Sequence, residues 1–296
     1  MEGDRASLLK ALISIAVGIA LAIISIYLKP SKKETPVMGR HVPSPVCWPG
    51  GKSRILKELK KRIPPHRIYV EPFAGGAPLF FSKEPAEINV LNDINRDLMD
   101  FYRKLREHEG PLVCDMKPDR RRFEEIKNKP DKSVCDFLYI NRNSWSCNTE
   151  TFSPTRLSSK GYSDWINAGI KQVAENLDEI KRKLRKAELL NTDFREVLKK
   201  YDSPDTFFYL DPPYWGPNKE QCLYQGHCGV TPWEVAEAVK DLKGKVLISY
   251  DNHPDVREAF EKIGWKIEEI EVPYSMEKTE KGGKKRRVKE LLIRNY

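Results

Sequence analysis

The sequence predicts an α/β protein: an open, mostly parallel sheet flanked by helices and interrupted by a helical insertion. Three observations carry that expectation. Short apolar runs of strand length recur at 67–73, 88–91, 188–190, 206–210 and 245–250. Stretches with apolar residues at helical spacing separate most of them, which is the rhythm of βα units. The run Phe207 to Leu210 is apolar throughout, as in a strand covered on both faces, and it stops at Asp211-Pro212-Pro213-Tyr214. Two prolines cannot continue a central strand, so the chain leaves the sheet there. Open α/β sheets keep their ligand sites just past the carboxyl ends of their strands.

That tetrad has a chemistry. Proline fixes its own backbone and lacks an N–H, so the loop is stiff and its carbonyls are free acceptors. Asp211 and the Pro212 carbonyl together can accept both hydrogens of one exocyclic amino group. Tyr214 offers a face on which a planar base stacks. An ordinary strand-to-loop turn also explains the pattern, because Asp-Pro is a common turn opener.

The chain has 296 residues, a formal charge of +9, 40% hydrophobic and 32% charged residues. This composition excludes a disordered chain and favours a polyanionic partner. The six cysteines are 47, 114, 135, 147, 222 and 228. None forms a CxxC pair. Cys222 and Cys228 flank His227, but three potential ligands at that spacing match no usual zinc pattern, so ordinary cytosolic thiols and no metal are expected.

Taken in order, the chain opens with 18 uncharged residues, Ala11 to Leu28, the lower limit for a membrane span. The basic flank after it would keep the rest of the chain in the cytoplasm, making 1–30 a possible transmembrane anchor through residues 8–28. Alternatively, Met38 is the true start. A linker over 31–46 precedes the folded domain. Trp48-Pro-Gly-Gly-Lys52 is a glycine turn entering a helix with Ile55, Leu56, Leu59 and Ile63 on one side. The strand ending at Phe73 runs into Ala74-Gly75-Gly76-Ala77, a turn that lets backbone approach a nucleoside closely. A second strand ends in Asn92-Asp93. An acid there holds ribose hydroxyls in nucleoside-binding sheets, although a helix cap shared with Asn95 would also account for it.

Residues 106–187 interrupt the βα rhythm as a helical subdomain. They hold a basic run (Arg120, Arg121, Arg122), the polar stretch 141–160 with Arg142, Asn143 and Arg156, and one long helix from Ser163 to Lys186. Arg, Asn and Ser with interleaved Trp145 and Phe152 suit phosphate contact and base-edge reading; a solvated helical lid is the plainer alternative. After strand 188–190 and the central strand come a capping box at Thr231 to Glu234, a strand at 245–250, a helix from Pro254, and a terminal hairpin. The hairpin loop carries Lys284, Lys285 and Arg286, a phosphate-contact element or a solvated loop.

In this order, WPGGKS (48–53), VEPFAGGAPLF (70–80), LNDINRDL (91–98), NRNSWSCNTETFSP (141–154), NTDF (191–194), FFYLDPPY (207–214), VLISYDN (246–252) and ELLIRNY (290–296) closely resemble the Dam-type adenine-specific DNA methyltransferases. The resemblance covers Trp48 to Tyr296. It implies a Rossmann-like S-adenosylmethionine-dependent methyltransferase sheet over 47–105 and 188–296, with a helical target-recognition insert over 106–187. It implies double-stranded DNA as partner, with room for a cognate restriction endonuclease. Carried over by position, Trp48 and Lys52 hold the methionine end of the cofactor with Phe73, Gly75 and Gly76. Asp93 takes the ribose, and Asp193 and Phe194 contact the cofactor adenine. Asp211, Pro212 and Tyr214 form the pocket for a flipped-out adenine, with Asp211 also bordering the cofactor. Rival expectations are an acceptor at cytosine N4 or in RNA, and a membrane-tethered DNA-binding protein without catalysis.

Overall fold

The computed structural model describes residues 42–153, 162–215, 230–273 and 287–296. The candidate membrane span lies outside these residues, as do Met38, Arg156, the Cys222-His227-Cys228 group and the Lys284 to Arg286 loop. No helix among the described residues is long and apolar enough to cross a membrane.

Seven strands form one sheet: β1 (Ile68–Glu71), β2 (Ile88–Asn92), β3 (Ala187–Leu190), β4 (Thr206–Leu210), β5 (Lys245–Asp251), β6 (Lys266–Pro273) and β7 (Arg287–Arg294). Their spatial order is β3-β2-β1-β4-β5-β7-β6. The first five pair parallel, and the β6–β7 hairpin adds antiparallel, with β7 against β5. This is the doubly wound order, with a hairpin where a sixth parallel strand would lie. The order reverses between β1 and β4, and a crevice opens at such a switch point.

The ten α-helices among the described residues are α1 (Leu56–Lys60), α2 (Pro78–Phe81), α3 (Arg96–Glu107), α4 (Arg120–Lys127), α5 (Val134–Asn143), α6 (Tyr162–Glu175), α7 (Leu177–Arg185), α8 (Phe194–Tyr201), α9 (Pro232–Val239) and α10 (Pro254–Lys262). Strand alternation divides the core between the two faces. Phe207 and Tyr209 of β4 join a cluster with Leu98 and Phe101 of α3, Phe137 of α5 and Ile180 of α7. Phe208 and Leu210 join the other, with Val197 of α8, Val235 of α9 and Phe260 of α10. The result is helices on both faces of a mostly parallel sheet. All five residues of β4 are therefore buried.

Helix starts follow the expected cap chemistry. Asn95 caps α3 by accepting from Leu98 N at 3.0 Å, and Thr231 with Glu234 closes a reciprocal capping box on α9. Three expectations are corrected. The single helix over 163–186 is two, because Asn176 leaves helical geometry between α6 and α7 and its Nδ2 donates to Gln172 O at 2.8 Å. Asparagine competes for backbone partners in this way. The linker ends earlier than Val46: Val42 and Val46 are buried in the core, and Val42 N donates to Phe81 O.

The cysteines differ most from expectation. Cys47 pairs with Cys147 (Cα–Cα 5.8 Å) and Cys114 with Cys135 (Cα–Cα 5.3 Å), so no described cysteine is a free thiol. Their sequence separations of 100 and 21 residues carry no motif, and the connectivity of bridges is not readable from sequence alone.

Candidate active site

At the switch point β1 runs into Pro72 to Gly76 and β4 into Asp211. The wall of one cavity at these two strand ends includes Trp48, Phe73, Gly75, Asp93, Phe194 and Asp211, with Gly76, Cys147, Asn148, Asp193 and Pro213 among its other lining residues. Gly75 has φ +47°, and a Cβ there would lie 2.6 Å from Trp48 Cδ1. Only glycine lets the indole lie against this turn. Gly75 N donates to Asp93 Oδ2 at 2.8 Å, and Asn95 N donates to Asp93 Oδ1 at 2.9 Å. Asp93 thus ties the glycine turn to the start of α3 while lining the cavity.

Phe73 and Phe194 face each other at 4.8 Å between ring centroids. Asp193 caps α8, accepting from Arg195 N at 2.8 Å, and pairs with the Arg195 guanidinium at 3.0 Å. It serves the helix as well as the cavity wall.

Asp211 is held by Lys52 and Ser249. Its Oδ1 lies 2.8 Å from Lys52 Nζ and accepts from Ser249 Oγ at 3.0 Å. Ser249 is itself 2.8 Å from the buried Tyr209 hydroxyl. The Lys52 and Asp211 side chains are 2% and 22% exposed. Burial pushes the Asp211 carboxyl above its ordinary value, opposed by the charge and hydrogen bond of Lys52. Lys52 also donates to Gly50 O at 2.8 Å and sits 4.6 Å from the Tyr214 ring centroid. The resemblance puts Lys52 at the methionine end of a cofactor; its ammonium lies on the acid of the β4 loop, which borders the cavity, and near the Tyr214 ring. A lysine on a short helical turn has a stem long enough to reach either place, and sequence does not say which.

Tyr214 is 38% exposed, and its hydroxyl donates to Glu290 Oε1 at 2.8 Å. Trp215 N donates to Asp251 Oδ1 at 3.0 Å, and its Nε1 to Asp255 Oδ2 at 2.8 Å. Ser249, Asp251 and Glu290 were missed from sequence. Ser249 and Asp251 sit inside VLISYDN and Glu290 opens ELLIRNY, so their motifs were visible although their reach to Asp211, Trp215 and Tyr214 was not.

The basic candidates divide. Arg120, Arg121 and Arg122 begin α4 at the surface. Arg121 pairs with Glu125 at 2.9 Å, Arg122 with Asp115 at 2.6 Å, and Arg120 lies 5.1 Å from the Phe152 ring. Such exposed pairs are weak and give way readily to phosphate. Arg142 and Asn143 are not surface groups. They are 8% and 0% exposed at the end of α5. Asn143 Nδ2 donates to Tyr139 O at 3.1 Å, and the Arg142 guanidinium packs where Gly169 of α6 has no side chain. The polar stretch expected from 141 begins inside a helix that its neighbours cover.

Comparison with known proteins agrees with this geometry. The family model for D12 class N6 adenine-specific DNA methyltransferases matches residues 48–276. The chain is similar to the Type II methyltransferase M.MjaIII of Methanocaldococcus jannaschii, at 28% identity over 58% of this chain and 69% of that protein. It is similar to the DNA N-6-adenine-methyltransferase of Escherichia phage P1, at 27% identity over 75% of this chain and 32% of that longer protein. It is similar to the DNA adenine methylase of Haemophilus influenzae, at 25% identity over 90% of this chain and 97% of that protein.

Proposed function

Because this chain belongs to the D12 class N6 adenine-specific DNA methyltransferase family, we propose that its β4 loop receives one adenine swung out of duplex DNA, beside S-adenosylmethionine in the β1 cavity. One observation carries this reading: Asp211 of the β4 loop lines the same cavity as Trp48, Gly75, Asp93 and Phe194. Acceptor and donor would therefore share one wall.

The residues fit S-adenosylmethionine. The glycine turn lets Trp48 lie against the cavity, Asp93 puts a carboxylate, an acceptor for ribose hydroxyls, on the same wall, and Phe73 with Phe194 forms an aromatic wall for an adenine. When bound, the cofactor supplies an electrophilic methyl group on a sulfonium. Trp48, the glycine turn and Asp93 orient it.

On the other side, the target amino group is out of reach inside a stacked duplex, so the base must leave the stack. Tyr214 stacks on it. Asp211 and the Pro212 carbonyl accept the two N6 hydrogens, which directs the nitrogen lone pair at the methyl group. Aligned geometry of this kind contributes roughly 7–11 kcal/mol. Lys52 occupies Asp211 until the base arrives and keeps the acid ionised. Reading of the DNA falls to the helical insert, through Arg120 to Arg122 and the 47% exposed Trp145.

The test uses the purified chain, S-adenosylmethionine and plasmid DNA, with N6-methyladenine mapped position by position. Marks confined to adenines in one short motif are expected. Marks on cytosine N4 instead would overturn the reading. A pH profile adds a second check. Asp211 must be ionised to accept the N6 hydrogens, so the rate falls as pH drops through its raised pKa. Lys52→Met removes the cation that opposes burial, so the acid limb of its residual activity is expected at higher pH than in the parent enzyme. An unmoved limb in single-turnover rates would remove Lys52 from this role.

A further inference from the structure

Glu290 lies opposite Asp251 in the β5–β7 register. Like charges directly opposite one another weaken a sheet. Burial raises the carboxyl pKa of both. One Glu290 oxygen, Oε2, is buried without a hydrogen-bond partner among the described residues. A carboxylate present only for the fold would have both oxygens satisfied, so this one burdens the sheet. Its satisfied oxygen, Oε1, takes the hydroxyl of Tyr214 at 2.8 Å.

Tyr214 needs an anchor. It is 38% exposed at the end of a two-proline loop. Its backbone neighbour Trp215 is held by Asp251, and Lys52 lies near the ring at 4.6 Å from its centroid. The hydroxyl is the ring's outermost atom, where a single hydrogen bond restricts rocking most. Stacking rewards a ring whose orientation is set before the base arrives.

We propose that Glu290 is a positioning residue of the target-base pocket, fixing the Tyr214 ring for stacking by accepting its hydroxyl. The inference rests on the reading of Tyr214 as the stacking platform. Glu290 acts through Tyr214 and touches no reacting atom.

The test compares Glu290→Ala, Glu290→Gln, Tyr214→Phe, Tyr214→Ala and the double variant Glu290→Ala/Tyr214→Phe. Two quantities are measured on duplex DNA: kcat/KM, and the fluorescence of 2-aminopurine at the target position, which brightens when the base leaves the stack. Either variant removes a hydrogen bond to a charged group that water can partly replace at a half-open site, so about a tenfold loss in kcat/KM is expected for Glu290→Ala and for Tyr214→Phe. Glu290→Gln keeps an acceptor of the same shape and should recover most of the activity and brightening. The double variant should be no worse than either single variant, because both remove the same bond. Multiplying losses, or a Gln variant as poor as the Ala variant, would overturn the proposal. Tyr214→Ala separates the two levels. If it keeps full activity and brightening, the base-pocket reading itself fails. If it loses both while Glu290→Ala loses neither, only the role of Glu290 fails.

Discussion

Asp211→Ala is expected to lower the rate of methyl transfer on the order of 10²–10³-fold, by analogy with the loss of one preorganised hydrogen-bonding group at a reacting centre. The substitution also has a structural cost, because it strands the Lys52 ammonium, 2% exposed in the native pair. Breaking a buried pair from one side costs roughly 3–5 kcal/mol. The two effects are separable. Asp211→Asn keeps the shape and the bond to Ser249 but removes the charge, and it is expected to lose activity and stability together. Adding Lys52→Met removes the stranded cation, so thermal stability should return while activity does not. The comparison needs initial rates of labelled methyl incorporation and a melting curve for each variant. Full methylation by Asp211→Ala would remove the acid from the mechanism.

Opening the Cys47–Cys147 bridge is expected to destabilise the fold by about 4–5 kcal/mol, from the loop-closure freedom that a 100-residue cross-link removes from the unfolded chain. It should also weaken cofactor binding. Cys47 immediately precedes Trp48, and Cys147 and Trp48 both line the cavity. The Asn141 side chain reinforces the join, accepting from Cys47 N at 3.2 Å and donating to Cys47 O at 2.7 Å. Cys114–Cys135 closes a shorter loop away from the cavity. Its removal should cost about 3 kcal/mol and leave cofactor affinity unchanged. Serine pairs at each bridge, followed by melting and by titration with S-adenosylmethionine, check the contrast. Equal affinity in both pairs would show that the first bridge does not shape the cavity.

The site was largely legible where chemistry and geometry coincide in a few consecutive residues. The β4 run ending at Asp211-Pro212-Pro213-Tyr214 announces a strand and its exit together, and the Gly75 turn and Asp93 follow strands whose apolar character marks their ends. What escaped depends on groups that meet only in three dimensions. Lys52, Ser249 and Glu290 approach Asp211 and Tyr214 from sequence distances of 38 to 159 residues from Asp211 or 76 from Tyr214. Arg142 and Asn143 read as surface groups because their residue types usually are; the helix neighbours that bury them leave no local mark. Cysteines 100 residues apart give no spacing signal either.

The reversal of strand order also bears on how the chain assembles. Ile68 of β1 pairs with Ile88, 20 residues away, on one side, and with Thr206, 138 residues away, on the other. Loop-closure entropy rises with the logarithm of that distance, so the second pairing costs about 1.7 kcal/mol more than the first before any contact rewards it. The crevice between β1 and β4 thus forms at the seam that is entropically hardest to close. The β1–β2 pair, with the glycine turn and Asp93, can zip locally, whereas β4 with Asp211 must wait for a long-range encounter, with the whole helical insert looped out between them.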